Sequence, residues 1–276
     1  MHFESFGWLL PLAALLAAGL FAGFCAGMFG IGGGFVVVPA LLLILPLLGG
    51  AKSEYAHVAV GTSAATIIAA SLRSVTAHAK RGAVDFEILK QWAPWLIVGD
   101  ALGVVLAGHV DGKGLLLIFA IGVMLMSVNF LVPRLSQIVI SDQMPSGIGL
   151  VALAGGLGTF SSLLGIGGGT IAITVMTWCS KTIHRAIATA SGIGTLIAIP
   201  TAIGFAIIGF ARPGLPWGSI GYINLPAALA ISSMSILTAP LGVAAAHKLP
   251  AAPLKRIFGA YLVVISLFMF RNALKA

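Results

Sequence analysis

Two short runs in this chain can do chemistry with backbone alone. They are Gly30-Ile31-Gly32-Gly33-Gly34 in the first half and Gly165-Ile166-Gly167-Gly168-Gly169 in the second. Inside an apolar helix such a run interrupts the hydrogen-bond ladder, and lipid cannot satisfy the amides that are set free. A helical piece that restarts after the break, at Phe35 in one half and Thr170 in the other, presents unpaired N–H groups and the positive end of its dipole. Anions are stabilised at such an end, and glycine has no side chain to keep them away. Hydroxyls near the runs supply further donors suited to oxyanions: Thr62, Ser63, Thr66, Ser161, Ser162, Thr170, Thr189, Ser191 and Thr195. Thr62 and Thr189 lead this set as matching positions close to a break. The competing role is structural, with glycines allowing close helix contact and hydroxyls bonding their own upstream carbonyls.

Other reactive side chains are sparse. Asp100 is the one carboxylate well inside an apolar segment, Trp95 to Gly103, and Arg73 is the one basic residue similarly placed. Burying either charged is expensive. The pair is therefore expected either to bridge or to divide, with Asp100 protonated in step with anion movement and Arg73 reaching for headgroups; bridging is preferred. His57 and His184 occupy matching positions at span ends, where they gate anion entry or serve as interfacial residues. No histidine or cysteine spacing suits a metal, and Cys25 and Cys179 sit in apolar surroundings as packing residues. There is no Walker sequence, no nucleophile with a nearby base and no intramembrane carboxylate pair, so neither direct ATP use nor enzymatic catalysis is indicated, and no cofactor is implied.

The elements that position these residues are membrane spans. Mean hydropathy is +1.10, with 59% of residues hydrophobic and only 8% charged, far below the roughly quarter charged in soluble domains. Spanning helices are predicted near Val58 to Ala77, Gln91 to Val110, Gly114 to Val132, Ala186 to Ala211, Tyr222 to Ala246 and Ile257 to Phe270, the last beginning somewhat earlier. Two further apolar blocks, Trp8 to Leu48 and Ile148 to Cys179, each read as two helical pieces flanking a glycine break, and the first is expected to stay in the mature protein and not to act as a cleavable signal peptide. Trp8, Trp92, Trp95, Trp178 and Trp217 fall near predicted interfaces and read as anchors.

The chain repeats. His57 to Ser63 matches His184 to Ala190, Gly82-Ala83-Val84-Asp85 matches Gly221-Tyr222-Ile223-Asn224, and Ile118-Phe119 matches Ile257-Phe258. The units are residues 1–140 and 141–276, together one membrane domain. If each broken block starts and ends on one side, Lys80, Arg81, Lys90, Arg134, Lys181, Arg185, Lys248, Lys255 and Arg256 gather on one face. Lys52, Lys113, Arg212, Arg271 and Lys275 remain on the other. The positive-inside rule makes the first face cytoplasmic and both termini external. The fold class is then an all-α polytopic membrane protein of two inverted repeats, each a glycine-broken helix pair plus about three transmembrane helices. The net charge of +8 is explained by orientation and needs no nucleic acid.

The Gly-x-Gly-Gly-Gly runs, the helix start Val60-Gly61-Thr62-Ser63 and the segment Arg81-Gly82-Ala83-Val84-Asp85 resemble the sulfite exporter TauE/SafE family, also called the toluene sulfonate uptake permease group, over nearly the whole chain. The resemblance implies a bacterial inner-membrane permease for small sulfur-containing anions such as sulfite, sulfoacetate or other sulfonates, drawing on gradients. Ala188 and Ala190 depart from the pattern, where the first half has Gly61 and Ser63. The expected binding residues are Gly30, Gly32, Gly33, Gly34, Phe35, Thr62, Ser63, Ser162, Gly165, Gly167, Gly168, Gly169, Thr170 and Thr189. A channel lined by the two glycine loops is the nearest alternative, and a membrane-embedded enzyme a more distant one. The spacings Gly19-x-x-x-Gly23 and Gly99-x-x-x-Gly103 permit helix association within a subunit or between copies in a homo-oligomer.

Overall fold

The computed structural model describes residues 8–132, 139–248 and 251–275. Ten helices account for nearly all of it: α1 (Leu9–Phe29), α2 (Gly34–Ile44), α3 (Tyr55–Ala79), α4 (Phe86–His109), α5 (Gly112–Leu131), α6 (Gly147–Leu164), α7 (Gly169–Trp178), α8 (Ile183–Ile208), α9 (Leu225–Lys248) and α10 (Ala251–Lys275). A two-stranded hairpin, β1 (Ser219–Ile220) and β2 (Ile223–Asn224), precedes α9. Eight of the described helices are long and apolar enough to cross a membrane, and α2 and α7 are the short apolar ones. The six uninterrupted spans expected from hydropathy correspond to α3, α4, α5, α8, α9 and α10, so the chain is an all-α polytopic membrane protein. The broken blocks divide unequally: α1 and α6, of 21 and 18 residues, are of membrane length, whereas α2 and α7 have only 11 and 10.

Local sequence sets the starts. Asp85 and Asp111 cap α4 and α5 by accepting from the amides of Ile88 at 3.3 Å and Gly114 at 2.8 Å. Asn224, at the position matching Asp85, caps α9 by accepting from Ala227 N at 3.1 Å. Large apolar side chains such as Val98, Leu125, Leu229, Leu241 and Val264 stand exposed on the outside, as a lipid-facing surface requires.

Small residues fix which helices touch. Gly19, Gly23 and Gly27 of α1 press on Ile231, Ser235 and Ala239 of α9, and both numbers rise together, so the two helices run parallel. Gly99 and Gly103 of α4 meet Gly155 and Thr159 of α6 in the same sense. These glycines therefore serve contacts within one chain. The central helices α3 and α8 run antiparallel, joined by Ser74–Ser191 and Thr195–Ser71 hydroxyl bonds, each 2.9 Å. Helices α5 and α10 are antiparallel as well, since Ser266 bonds Ala120 O while Gly259 lies against Phe130. The first arm of each broken pair thus packs on the fourth helix of the other half.

These directions assign two ends to the bundle. End I carries the α3–α4 turn with Lys80 and Arg81, the α7–α8 turn with Lys181 and Arg185, and Lys248 of α9. End II carries the α4–α5 turn with Lys113, the turn before α3 with Lys52, and Arg212 after α8. The pair α1–α2 enters and leaves at end II, and α6–α7 enters and leaves at end I. Arg134 and the side chains of Lys255 and Lys275 lie outside the described residues.

Candidate functional site

Each break is built the same way. Gly30 and Gly165 close α1 and α6 in the left-handed region, at φ 67° and 63°, and their amides return to Ala26 O and Ser161 O at 3.0 and 2.9 Å. Gly33 and Gly168, at φ 82° and 69°, open the next helices, a conformation that costs any residue with a side chain. Helices α2 and α7 start at Gly34 and Gly169, one residue ahead of the expected Phe35 and Thr170. Their ladders begin when Val36 and Val37 donate to Gly33 O and Ala172 donates to Gly168 O. The first-turn amides ahead of those bonds are the donors that a helix leaves for other partners.

The two breaks touch each other reciprocally. A methyl group on Gly34 would stand 2.2 Å from Gly165 O, and one on Gly169 would stand 2.1 Å from Gly30 O. Ile67, midway along α3, lies against both Gly32 and Gly167. Each helix N-terminus therefore lies against the closing carbonyl of the opposite break, near the middle of the bundle, with α2 leading toward one end and α7 toward the other. Every residue from Cys25 through Val38 is buried, as is every residue from Leu164 through Thr170.

The hydroxyls sort into committed and uncommitted. Thr62 and Thr189 accept backbone amides across the molecule, Asn224 N at 2.8 Å and Asp85 N at 3.0 Å, so both pin the strand or turn that feeds the other half's fourth helix. Ser63 donates to Gly165 O at 2.8 Å and clamps the second break, and Thr66 donates to Ser63 O. Ser162 donates to Asp100 O, and Ser191 and Thr195 belong to the α3–α8 ladder. Ser161 and Thr170 are different: both hydroxyl oxygens are buried without a hydrogen-bond partner, one in the turn before the second break and one in the first turn of α7. Beside Thr170 lies a cavity of about 20 Å³ lined by Phe29, Asn129, Phe130, Ile173 and Ile187. It is room for one water. Asn129, whose amide bonds Thr174 one turn further along α7, was not among the residues singled out from sequence. The only signal was an isolated amide in the apolar α5.

Asp100 and Arg73 do not bridge. Asp100 is fully buried and its Oδ1 is bonded to Thr201 of α8, while Arg73 is exposed; Asp85, not Asp100, forms an ion pair, with Lys181 at 3.5 Å. Asp100 faces α6 and α8, and Arg73 faces outward from α3, so their helices point the two side chains apart. Trp92 likewise corrects the anchor expectation, being only 1% exposed, whereas Trp8 and Trp217 are 60% and 74% exposed. Cys25 and Cys179 are buried free thiols. His57 is buried at end II, stacked on Tyr222 and bonded to Ala107 O and Val110 O, and His184 stands exposed at end I beside His247. A larger cleft of about 680 Å³ opens at end II between α2, α5 and α10, with Lys52, Asp111 and Lys113 at its rim, and none of its lining residues belongs to a break.

The chain has relatives that match it over nearly its whole length. The chain is 34% identical over 258 residues to a probable membrane transporter protein of Haemophilus influenzae, covering 92% of this chain and 96% of that one. A probable membrane transporter protein of Methanocaldococcus jannaschii is 28% identical over 271 residues, covering 96% and 97%. One from Xylella fastidiosa is 24% identical over 264 residues, with 94% of each covered. No solved structure matches. Residues 15–269 match the family described as Sulfite exporter TauE/SafE, so this multi-pass membrane protein belongs to that family of transporters.

Proposed function

We propose that the protein is a secondary transporter of small sulfur-containing anions such as sulfite, sulfoacetate or other sulfonates, and that it holds the anion at the meeting of the two broken helices. One observation carries this reading: Thr170 Oγ1 is buried and unpartnered in the first turn of a helix whose N-terminus abuts the opposite break. A hydroxyl donor beside free helix amides matches the several acceptor oxygens of a sulfur oxyanion without demanding a full countercharge. The pattern of reciprocal contacts supports two inverted repeats, residues 1–140 and 141–276. The basic residues at end I support a cytoplasmic end I in a bacterial inner membrane, with both termini periplasmic.

The small volume beside Thr170 favours a carrier over a channel, because an anion enters only when the helices part. The test is counterflow. Proteoliposomes preloaded with unlabelled sulfite or sulfoacetate should take up the labelled anion transiently above equilibrium, with saturation. Flux that rises without limit together with single-channel currents would replace the carrier with a pore, and indifference to sulfur anions would remove the substrate class.

A further inference from the structure

Asp100 is a carboxyl group that the packing does not need. It stands on α4 against α6 and α8, fully buried, with Oδ1 bonded to Thr201 and Oδ2 without a partner. Helix α6 carries no titratable side chain. On α8 the titratable groups are His184 and Arg185, more than four turns from Thr201, and on α4 the neighbours Lys90 and His109 are ten and nine residues away. Among the described residues no cation pairs with the acid, and the Lys181–Asp85 ion pair lies elsewhere, at end I. Proton counting then bears on its state. Thr201 has a single hydroxyl hydrogen but two acceptor neighbours, Asp100 Oδ1 and, at 2.9 Å, Ile197 O. A protonated Asp100 that donates to Thr201 gives each of these contacts a hydrogen of its own, whereas an ionised one leaves the single hydroxyl hydrogen shared between two acceptors.

The matching contact in the other half shows what packing alone requires. There α9 presents Ala239 to Gly27 of α1, and Ser74, at the position of Thr201, bonds Ser191 and reaches Ala26 O at 3.5 Å. An acid is thus absent where the same helix crossing is made by backbone and hydroxyls. Asp100 also adjoins the second break, since Ser162, three residues before Gly165, donates to Asp100 O at 3.2 Å. A displacement of α6 that opened the break would disturb the surroundings of the carboxyl as well.

We propose that Asp100 is the coupling site for a proton: it holds one proton in the closed state shown here and releases it to water admitted when α6 moves to admit or discharge the anion. The proposal rests on the carrier reading above and adds the coupling ion to it. The test separates the two. Asp100→Asn keeps a neutral, hydrogen-bonding side chain of nearly the same shape that can donate to Thr201, and so should preserve folding. In proteoliposomes the variant should retain anion counterflow at no less than about half the wild-type rate but lose accumulation driven by a pH gradient. In infrared difference spectra of the wild type, anion binding should perturb the carbonyl band of a protonated carboxylic acid, and that band should be missing from Asp100→Asn. A variant that still accumulates anion in response to a pH gradient, or a spectrum without that band in the wild type, overturns the proton site. Absence of counterflow in the wild type instead overturns the carrier.

Discussion

The two glycine breaks share a backbone and differ in almost every side chain around it. At matching positions the first break has Ala26, Gly27, Phe35 and Pro39, and the second has Ser161, Ser162, Thr170 and Thr174. The difference extends to the helices behind them, where Ala239 and Phe268 in one setting answer Asp100 and Asn129 in the other. Phe35 is fully buried edge-on to Phe258, which in turn stacks on Phe29, so the first restart faces an aromatic core. Thr170 faces a small cavity with an amide nearby. Duplication thus preserved what bends the chain and let the chemistry diverge. Backbone geometry makes both helix ends available, and side chains decide that the second holds the polar contacts.

The largest expected effect tests the shared part. Gly34→Val and Gly169→Val each drive a side chain into the carbonyl of the opposite break, and each should cost on the order of 3 kcal/mol or more, read as loss of monodisperse protein or a steep fall in melting temperature. Unequal damage would break the equivalence of the two backbones. Next come the cross-molecule threonines. Thr62→Val strands the buried amide of Asn224 and should cost about 1–3 kcal/mol, with Thr189→Val costing less because the amide of Asp85 is only partly buried. The reverse order would mean that these bonds do not hold the halves together.

Much of this was legible in the residues. Hydropathy located the six unbroken spans, and three glycines in a row located the breaks to within one residue, because few other sequences stop a helix inside an apolar block. The allocation of hydroxyls was not legible. Repetition singles out Thr62 and Thr189, and what they share is a structural bond to the other half, whereas the buried hydroxyls without a partner among the described residues are the unrepeated Ser161 and Thr170. Asp100 was noticeable as a lone acid. Its partner Thr201 lies on another helix at a separation that no local pattern encodes.

A sharper contrast between the breaks comes from swapping what differs. Phe35→Leu should lower stability by about 1–1.5 kcal/mol through looser packing. Thr170→Val should leave the melting temperature of the anion-free protein nearly unchanged, because the hydroxyl it removes has no partner. Equal losses would erase the distinction between an aromatic plug and a polar site.

The smallest effect concerns the entrance to α9, where Tyr222 stands at the position of Ala83. Its hydroxyl donates to Glu54 at 2.8 Å, and burial, followed by that bond and the Glu54 charge, pushes it up to about 12. Unfolded tyrosine ionises near pH 10, so the folded chain favours the neutral form. The resulting stability is fully present below about pH 10 and is lost as pH rises toward about 12. Tyr222→Phe should flatten that part of the melting profile, and an unchanged slope would assign it to another group.

The most direct measurement of an anion site at the second break is ligand-induced thermal stabilisation of the detergent-purified protein with sulfite, thiosulfate, sulfoacetate, taurine, sulfate and carboxylates. Sulfur anions should raise the melting temperature of the wild type and of Phe35→Leu, and Thr170→Val should need about tenfold more anion for the same rise, equivalent to roughly 1.4 kcal/mol. Stabilisation by a cation alone, or an anion response that Thr170→Val leaves intact, would contradict binding at the start of α7.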